Sequence, residues 1–214
     1  MIVLLFGASG SAGGSVLKAC LAAPDVTEVR AIVRRPLAVT HPKLRAYTHD
    51  DFASFERSAT TFDEVDACLY CLGVSAVQVR DEAQYRRITQ DFAMAAARTL
   101  KARSPGAAFH FISGRSTALD SRFMWARVKA ETERDLMQLV AAVCWRPAAI
   151  DGEPSQTLTW YSPFRPLFKL LAPLRSLYVS GADLGRAMLQ ATREKLRGRI
   201  LENVDIRDLA DRSL

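Results

Sequence analysis

Residues Ile2–Gly14 read Ile-Val-Leu-Leu-Phe-Gly-Ala-Ser-Gly-Ser-Ala-Gly-Gly, and this stretch decides the fold. Five apolar residues rich in β-formers run directly into a cluster of glycines, and apolar residues then recur at helical spacing. The pattern predicts a buried strand at Ile2–Phe6, a tight turn, and a helix over about Ala12–Ala22.

Three glycines of this turn stand three residues apart, in the G-x-x-G-x-x-G form of a dinucleotide-binding turn. Gly7 allows a sharp exit from the strand, Gly10 lets the backbone approach a pyrophosphate, and Gly13 lets the helix pack closely on the strand. The N–H groups at the helix start, at the positive end of its dipole, then face the phosphates. The cofactor contacts predicted for the turn are Gly7, Ser9, Gly10, Ser11, Ala12 and Gly13.

Strand-like and helix-like segments alternate beyond the turn. Strands are predicted at Val26–Val33, Leu44–Tyr47, Val65–Leu72, Ala108–Ser113 and Ala142–Trp145, and helices at Glu82–Ala102, Phe123–Val140 and Ala182–Lys195. Such alternation is typical of a parallel sheet covered on both faces. The sequence therefore predicts an α/β fold, a single Rossmann-type doubly wound parallel sheet of order 3-2-1-4-5-6, in one domain over residues 1–214.

The amino-acid composition changes after Pro147, where prolines and aromatic residues such as Trp160 and Tyr161 become frequent. A small C-terminal cap region over about residues 151–180 is predicted, on the substrate side of the sheet. An ordinary α/β tail that closes the core is the alternative, because nothing in this segment is chemically distinctive.

Composition excludes several classes of function. The net charge of +6 comes from 29 basic and 23 acidic residues, and the arginines are scattered rather than massed in one stripe, so no nucleic-acid partner is expected. No apolar run approaches the ~20 residues of a membrane helix, and the N-terminal run is too short for a signal peptide. No membrane partner is expected, and a cytoplasmic location is predicted.

Four cysteines occur, at Cys20, Cys68, Cys71 and Cys144. Cys68 and Cys71 have C-x-x-C spacing, but they lie in a strand-like run, where positions three apart point to opposite faces. No second cysteine pair or nearby histidine accompanies them. The cysteines are predicted to be small buried hydrophobic residues in a reduced compartment, and no metal site is expected.

The end of the second predicted strand carries Arg34 and Arg35. In NAD-binding proteins of this fold, an acidic residue at this place holds the ribose hydroxyls. Guanidinium groups instead suit a phosphate dianion, which a carboxylate would repel. The sequence therefore predicts NADP(H) as the cofactor in preference to NAD(H).

Ser113 ends the predicted fifth strand, and Trp125 and Lys129 are four residues apart, on one face of the following helix. With the features above, this pattern resembles an atypical short-chain dehydrogenase/reductase, and in particular the small NADP(H)-binding proteins of the NmrA-like and Tat-interacting-protein-like group. The resemblance covers nearly the whole chain. Its motifs are Gly7–Gly10 with Gly13, Arg34-Arg35, Cys71–Gly73, Ser113, Val128–Glu131, Arg146-Pro147 and Leu201–Asn203.

The resemblance implies a catalytic set of Ser, Tyr and Lys, with the Tyr four residues before the Lys. Ser113 and Lys129 match this set as the predicted catalytic residues, whereas Trp125 stands at the Tyr position. An indole N–H is only a donor and does not titrate in the range of a phenol, so Trp125 cannot be the acid or base. Tyr85, Tyr161 and His110 are conceivable substitutes.

The resemblance also implies the remaining cofactor contacts. Lys129 would hold the nicotinamide ribose, the backbone of Cys71, Leu72 and Gly73 would lie beside the cofactor, and Ala148–Ile150 would lie near the nicotinamide. Asp51, or its neighbour Asp50, would approach the adenine.

Two classes of function stay open. The first is an NADP(H)-dependent oxidoreductase that acts on a small carbonyl-type substrate with an unusual proton donor. Relatives of this type are also described as epimerase/dehydratase-like on fold similarity alone. The second is a binding protein without turnover that senses the redox state of NADP(H), as NmrA-like regulators are thought to do. A small-molecule substrate is expected in the first case, and a homodimer or a regulatory protein partner remains open.

Overall fold

A computed structural model of the chain describes residues 1–153 and 173–213. Its main feature is a parallel sheet of seven strands in the order β3-β2-β1-β4-β5-β6-β9. These strands are β1 (Ile2–Phe6), β2 (Glu28–Val33), β3 (Leu44–Thr48), β4 (Ala67–Tyr70), β5 (Ala108–Ile112), β6 (Val143–Arg146) and β9 (Arg199–Glu202). The predicted α/β class and the order 3-2-1-4-5-6 are confirmed, and β9 extends the sheet beyond β6.

The remaining elements cover the two faces of this sheet. They are α1 (Ser11–Ala22), a 3-10 segment (Glu56–Phe62), α2 (Glu82–Arg86), a π-helical segment (Arg87–Asp91), α3 (Phe92–Arg103), α4 (Met124–Val140), α5 (Gly181–Arg193) and α6 (Asn203–Asp211). Two further short strands, β7 (Ala149–Asp151) and β8 (Tyr178–Ser180), pair with each other in parallel as a separate two-stranded sheet.

Each face of the sheet packs its own hydrophobic cluster. Strand β1 shows why, since Val3 and Leu5 pack towards α1, α5 and α6, whereas Leu4 and Phe6 pack towards the 3-10 segment, α3 and α4. All four side chains are fully buried. A strand covered on both faces has no polar alternation, which explains the continuous apolar run in the sequence.

Helix α1 is fixed against α5 by a close crossing of small residues. A Cβ on Gly181 would lie 2.2 Å from Ser15 Oγ, and a Cβ on Gly185 would lie 2.5 Å from the Cβ of Ala19. The two backbones therefore approach more closely than larger side chains would allow. This crossing holds the N-terminus of α1 in place at the end of β1.

Two predicted elements differ from the structure in instructive ways. The single helix predicted over Glu82–Ala102 is α2 and α3, joined by the π-helical segment Arg87–Asp91. The strand predicted at Val65–Leu72 is shorter, and Cys71 and Leu72 lie beyond its end. A π turn adds one residue to a helix without breaking its apolar face, so periodicity alone does not reveal it.

The predicted cap region is only partly described. Its two ends form β7 and β8, but Trp160 and Tyr161 lie among residues 154–172, outside the described residues. The cap therefore stays a prediction. Within the described ranges, no helix is long and apolar enough to cross a membrane.

Candidate functional site

The glycine turn is packed too tightly for larger residues. Gly7 has a φ of +77°, in the left-handed region, and a Cβ there would lie 2.6 Å from the carbonyl carbon and oxygen of Cys71. A Cβ on Gly13 would lie 2.0 Å from the carbonyl oxygen of Gly7. Gly10 caps α1, and its N–H donates to that same carbonyl at 2.9 Å. The turn thus brings the ends of β1 and β4 and the start of α1 together.

The first turn of α1 offers free donors at this place. The N–H groups of Ser11, Ala12 and Gly13 have no preceding helical carbonyl to bond, and no side chain caps the helix start. The partial positive charge of the helix end adds to them. The arrangement suits an anion such as a diphosphate. Ser9, in the turn itself, is exposed.

Residues after β7 cover one side of the same helix. The Glu153 N–H donates to the Ser11 carbonyl at 3.1 Å and to Ser15 Oγ at 2.9 Å, and the Glu153 carboxylate pairs with Lys18 at 2.8 Å. A Cβ on Gly152 would lie 2.5 Å from the Ser11 carbonyl oxygen. None of these contacts was foreseen, because they join residues more than 130 positions apart.

Arg34 and Arg35 leave the sheet at the same edge as the glycine turn. The strand register pairs Phe6 with Ile32, so the end of β2 lies beside the end of β1. Both arginines are exposed, and neither forms an ion pair with any residue that the structure describes. Among the described residues, nothing therefore competes with a ligand for their guanidinium groups.

Asp50 and Asp51 follow β3 at this edge, next to the end of β2. The carboxylate of Asp50 pairs with Arg57 at 3.5 Å, and one carboxylate oxygen of Asp51 accepts from the Ala53 N–H at 3.1 Å. The His49 ring nitrogen Nε2 contacts the Asp51 carbonyl at 2.7 Å and orders this loop. Asp51 is exposed, with one carboxylate oxygen bonded within its own loop.

Ser113, Trp125 and Lys129 meet around Gly114, at the end of β5. The Trp125 atom Cζ3 and the Lys129 atom Nζ lie 3.9 Å and 3.8 Å from the position that a Cβ on Gly114 would take. Lys129 Nζ donates to the Ser113 backbone carbonyl at 2.5 Å. The end of β5 and the start of α4 therefore bring these three residues to one place, and the roles assigned to them stay predictions.

The hydroxyl of Ser113 has a partner that the sequence did not indicate. Ser113 is buried, and its Oγ lies 3.2 Å from Thr117 Oγ1, which donates to the Gly114 carbonyl at 2.7 Å. Ser116, with a φ of +66°, turns the chain so that Thr117 comes back under the strand end. Thr117 thus orients the serine that was predicted to be catalytic.

Burial changes the acidity of the Lys129 amine. The loss of solvation lowers the pKa of Lys129 from 10.5 to about 8, and the Glu133 carboxylate opposes this only in part. Glu133 is itself held by Arg146, with contacts of 2.6 Å and 3.0 Å. At neutral pH, Lys129 is therefore a cation whose burial disfavours its charge.

This burial predicts a pH dependence of stability. Between pH 8 and pH 10.5 the unfolded chain binds more protons at Lys129 than the folded chain, so the contribution of this group to the free energy of unfolding rises with pH. Urea unfolding at pH 7 and pH 9.5 gives the free energy of unfolding of wild type and of Lys129→Met. Relative to the variant, wild type should be more stable at pH 9.5 than it is at pH 7. The exposed Lys101→Met variant is the control and should show no such shift. Parallel behaviour of both variants would contradict the prediction.

The structure describes two of the three substitute acids considered from sequence, His110 and Tyr85. His110 is fully buried, its Nδ1 accepts from Trp145 Nε1 at 3.2 Å, and its Nε2 lies 3.1 Å from Thr192 Oγ1. Burial lowers the pKa of His110 to about 3, so the ring is a neutral part of the core, which agrees with a structural role. Burial likewise raises the pKa of Tyr85. Tyr161 lies outside the described residues.

The four cysteines are free, and Cys20, Cys68 and Cys144 are buried. Cys68 belongs to one core cluster, and the half-buried Cys71 packs against the other, so they point to opposite faces as expected. Burial raises the pKa of both thiols. This is the behaviour of small core residues.

A groove of about 420 Å³ runs along the side of α1, between α1 and α5. Its basic residues are already neutralised, since Lys18 pairs with Glu153 and Arg193 pairs with Asp25 at 2.7 Å. Arg34 and Arg35, which pair with no described residue, and the N–H groups at the start of α1 lie instead at the end of the sheet. We therefore place the candidate site at the glycine turn and not in this groove.

Asn203, at the end of the Leu201–Asn203 motif, is a positioning residue whose role sequence reasoning did not assign. Its Oδ1 accepts from the Ala148 N–H at 2.8 Å, and its Nδ2 donates to the carbonyls of Arg175 and Tyr178 at 2.7 Å and 2.9 Å. This buried amide fixes the chain after β6 against the entry to β8. It thus holds the Ala148–Ile150 segment in place.

Known proteins were compared with this chain. No protein-family model matches it. Protein FMP52, mitochondrial, of Eremothecium gossypii is 24% identical over 155 residues, which cover 72% of this chain and 68% of that protein. At this identity the likeness does not decide the family.

Solved structures share the fold over most of the chain. DesIV, a dTDP-glucose 4,6-dehydratase from Streptomyces venezuelae with NAD and TYD bound, superposes with a TM-score of 0.73 at 17% identity, covering 100% of this chain and 80% of its own. An oxidoreductase of the short-chain dehydrogenase/reductase family from Burkholderia thailandensis gives 0.72 at 17% identity, covering 94% and 89%. A UDP-glucose 4-epimerase from Thermotoga maritima, with UDP-glucose, gives 0.70 at 14% identity, covering 99% and 82%.

The chain has the Rossmann-like fold of these proteins. The names of the three include a dehydratase, an oxidoreductase and an epimerase, so the shared fold does not indicate one reaction. The function of this chain must therefore be argued from its own residues.

Proposed function

We propose that this chain is an NADP(H)-dependent oxidoreductase of the short-chain dehydrogenase/reductase superfamily, in its atypical NmrA-like and Tat-interacting-protein-like part, acting on a small carbonyl-type substrate. The observation that carries the proposal is the glycine turn. Its backbone is closed to any Cβ at Gly7 and Gly13, and it presents the start of α1 at the end of the sheet.

The residues present fit a phosphorylated dinucleotide. The first turn of α1 suits the diphosphate, and Arg34 and Arg35 suit a phosphate on the adenosine ribose. A Cβ on Gly73 would meet nothing within 4 Å, so the backbone beyond β4 is open to a ligand on one side. Lys129 is the cation beside the end of β5, and it would hold ribose hydroxyls. The bound cofactor would supply the hydride.

The protein's own part in the reaction follows from Ser113 and Lys129. Lys129 places a positive charge beside the Ser113–Gly114 backbone, where a substrate oxygen gains negative charge as the carbonyl is reduced. Thr117 fixes the hydroxyl of Ser113. Trp125 stands where the resemblance places the phenol, but it cannot release a proton.

The same Trp125 favours a second candidate, an NADP(H)-sensing protein without turnover. Such a protein would keep the cofactor contacts and lose the acid. In this reading, Ser113 and Lys129 are retained for binding, and the cofactor's redox state would be passed to a regulatory partner.

Consumption of NADPH with a panel of aldehydes, ketones and quinones separates the two candidates. For the oxidoreductase we expect wild-type turnover that falls about 100-fold or more in Lys129→Ala, because that variant loses the charge beside the developing oxyanion. Tight binding of NADPH without turnover on any acceptor, with activity gained only in Trp125→Tyr, would instead establish the sensor.

A further inference from the structure

An aromatic stack leads outward from Trp125. The ring of Phe123 lies 6.4 Å from that of Trp125 at an interplanar angle of 23°, and the guanidinium carbon of Arg122 lies 5.9 Å from the Phe123 centroid. Phe123 is 58% exposed. An exposed phenylalanine held parallel to an indole contributes little to the core, so the pair adds aromatic surface at the start of α4.

The chain around the stack is braced. Arg127 donates to the carbonyls of Ser121 and Arg122 at 3.1 Å and 3.2 Å, and its other nitrogen pairs with Glu82 at 3.1 Å. The Phe123 N–H donates to Ser121 Oγ at 3.2 Å. The start of α4 is thus tied to α2. This bracing holds the two rings in a set arrangement before any ligand arrives.

Two loops at the same end of the sheet also expose apolar side chains. Val77, in the loop after β4, is 56% exposed, and Leu119, in the loop after β5, is 55% exposed. Both loops leave the sheet at the end that carries Gly114 and Lys129. A hydroxyl-rich substrate would gain little from such surroundings, whereas a planar apolar one would bury surface on them.

The absence of a phenol at position 125 also favours a planar conjugated substrate. Reduction of an aldehyde or ketone produces an alkoxide about as basic as hydroxide, whose parent acid, water, has a pKa of about 15.7, so a proton must follow the hydride, and Lys129 would have to give up its charge to supply it. Reduction of a quinone produces a phenolate, whose parent acid has a pKa near that of tyrosine, about 10. Such an anion needs only a nearby positive charge, and Lys129 supplies one.

We propose that the substrate of this site is a planar conjugated dicarbonyl of the quinone class, stacked on Trp125 with one oxygen directed to Lys129. The inference rests on the proposed oxidoreductase function. The substrate gains a hydride from the reduced nicotinamide, which becomes the oxidised form, and the quinone becomes a hydroquinone monoanion. That anion then takes one proton from water to give the hydroquinone.

Binding of 2-methyl-1,4-naphthoquinone in the presence of excess NADP⁺ tests the stack without turnover. We expect calorimetric binding to weaken about tenfold or more in Trp125→Leu and in Phe123→Ala, while the exposed Val204→Ala variant on α6 matches wild type. Thermal melts show that each variant is folded. Equal binding by all folded variants, or no binding by wild type, would overturn the inference.

Turnover of two acceptors by Trp125→Tyr provides the second readout. Wild type should reduce the naphthoquinone about tenfold or more faster than butanal, and the variant should gain activity on butanal, because its phenol restores a proton donor. Wild type that binds NADPH and reduces butanal in preference to the quinone would refute the substrate class and leave the oxidoreductase intact. Failure to bind any pyridine nucleotide would instead refute the proposed function itself.

Discussion

Gly13→Ala is expected to lower the free energy of unfolding by about 2–3 kcal/mol and to abolish measurable binding of NADPH, although alanine is the better helix former. Its Cβ would lie 2.0 Å from the Gly7 carbonyl oxygen and 2.6 Å from the carbonyl carbon. These are backbone atoms, so no side chain can rotate away. The start of α1 must move off the end of β1, which removes the anion site.

Gly14→Ala, one position later in the same helix, is the matched control for this prediction. There the nearest atom to a new Cβ is the Cβ of Glu153, at 3.4 Å. The helix-propensity gain of up to ~1 kcal/mol is the same at both positions. Urea unfolding and NADPH titration should therefore separate the two variants, with Gly14→Ala at least as stable as wild type. Equal loss of stability in both would show that the Gly7–Gly13 contact is not what restricts this turn.

Replacing Arg34 and Arg35 together with alanine is expected to weaken NADPH binding by about 100-fold and to change NADH binding by less than about threefold. Two charge-assisted hydrogen bonds to a phosphate contribute at least ~1.5 kcal/mol each, and the adenosine ribose of NADH carries no 2′-phosphate. Because both side chains are exposed, the difference between wild type and variant should shrink as salt is added.

Arg98→Ala controls for the loss of positive charge, since Arg98 is also exposed, but it lies on α3, away from this edge. Titration of both reduced cofactors by calorimetry gives the measurement. Wild type that binds NADH as tightly as NADPH would contradict the assignment of the two arginines, while leaving the glycine turn as a general dinucleotide site.

The sequence predicted the central strands because each is a nearly continuous apolar run, as strands covered on both faces must be. It did not predict β9, whose residues Arg-Ile-Leu-Glu alternate little and lie at the sheet edge, with Ile200 41% exposed. Nor did it predict β7 and β8, because three-residue strands carry no periodicity. Their pairing depends on contacts such as those of Asn203, which link distant parts of the chain.

The candidate site follows the same rule. Local spacing was enough to expect Trp125 and Lys129 on one face of α4 and the glycines at one turn. The partner of Ser113 was not foreseeable, since it depends on the left-handed conformation at Ser116. The burial that perturbs the pKa of Lys129, and that keeps the His110 ring neutral, is a property of packed tertiary structure and has no local pattern.

The two hydrogen bonds of the Glu153 N–H also couple the movement of α1 to that of residue 153. They anchor the chain after β7 to the start of α1, so a tilt of that helix is passed on to residue 153. The start of α1 thus has two roles. Its N–H groups suit an anion, and its Ser11 carbonyl and Ser15 hydroxyl hold residue 153, which precedes residues 154–172. A ligand that shifts the start of α1 would therefore also shift residue 153.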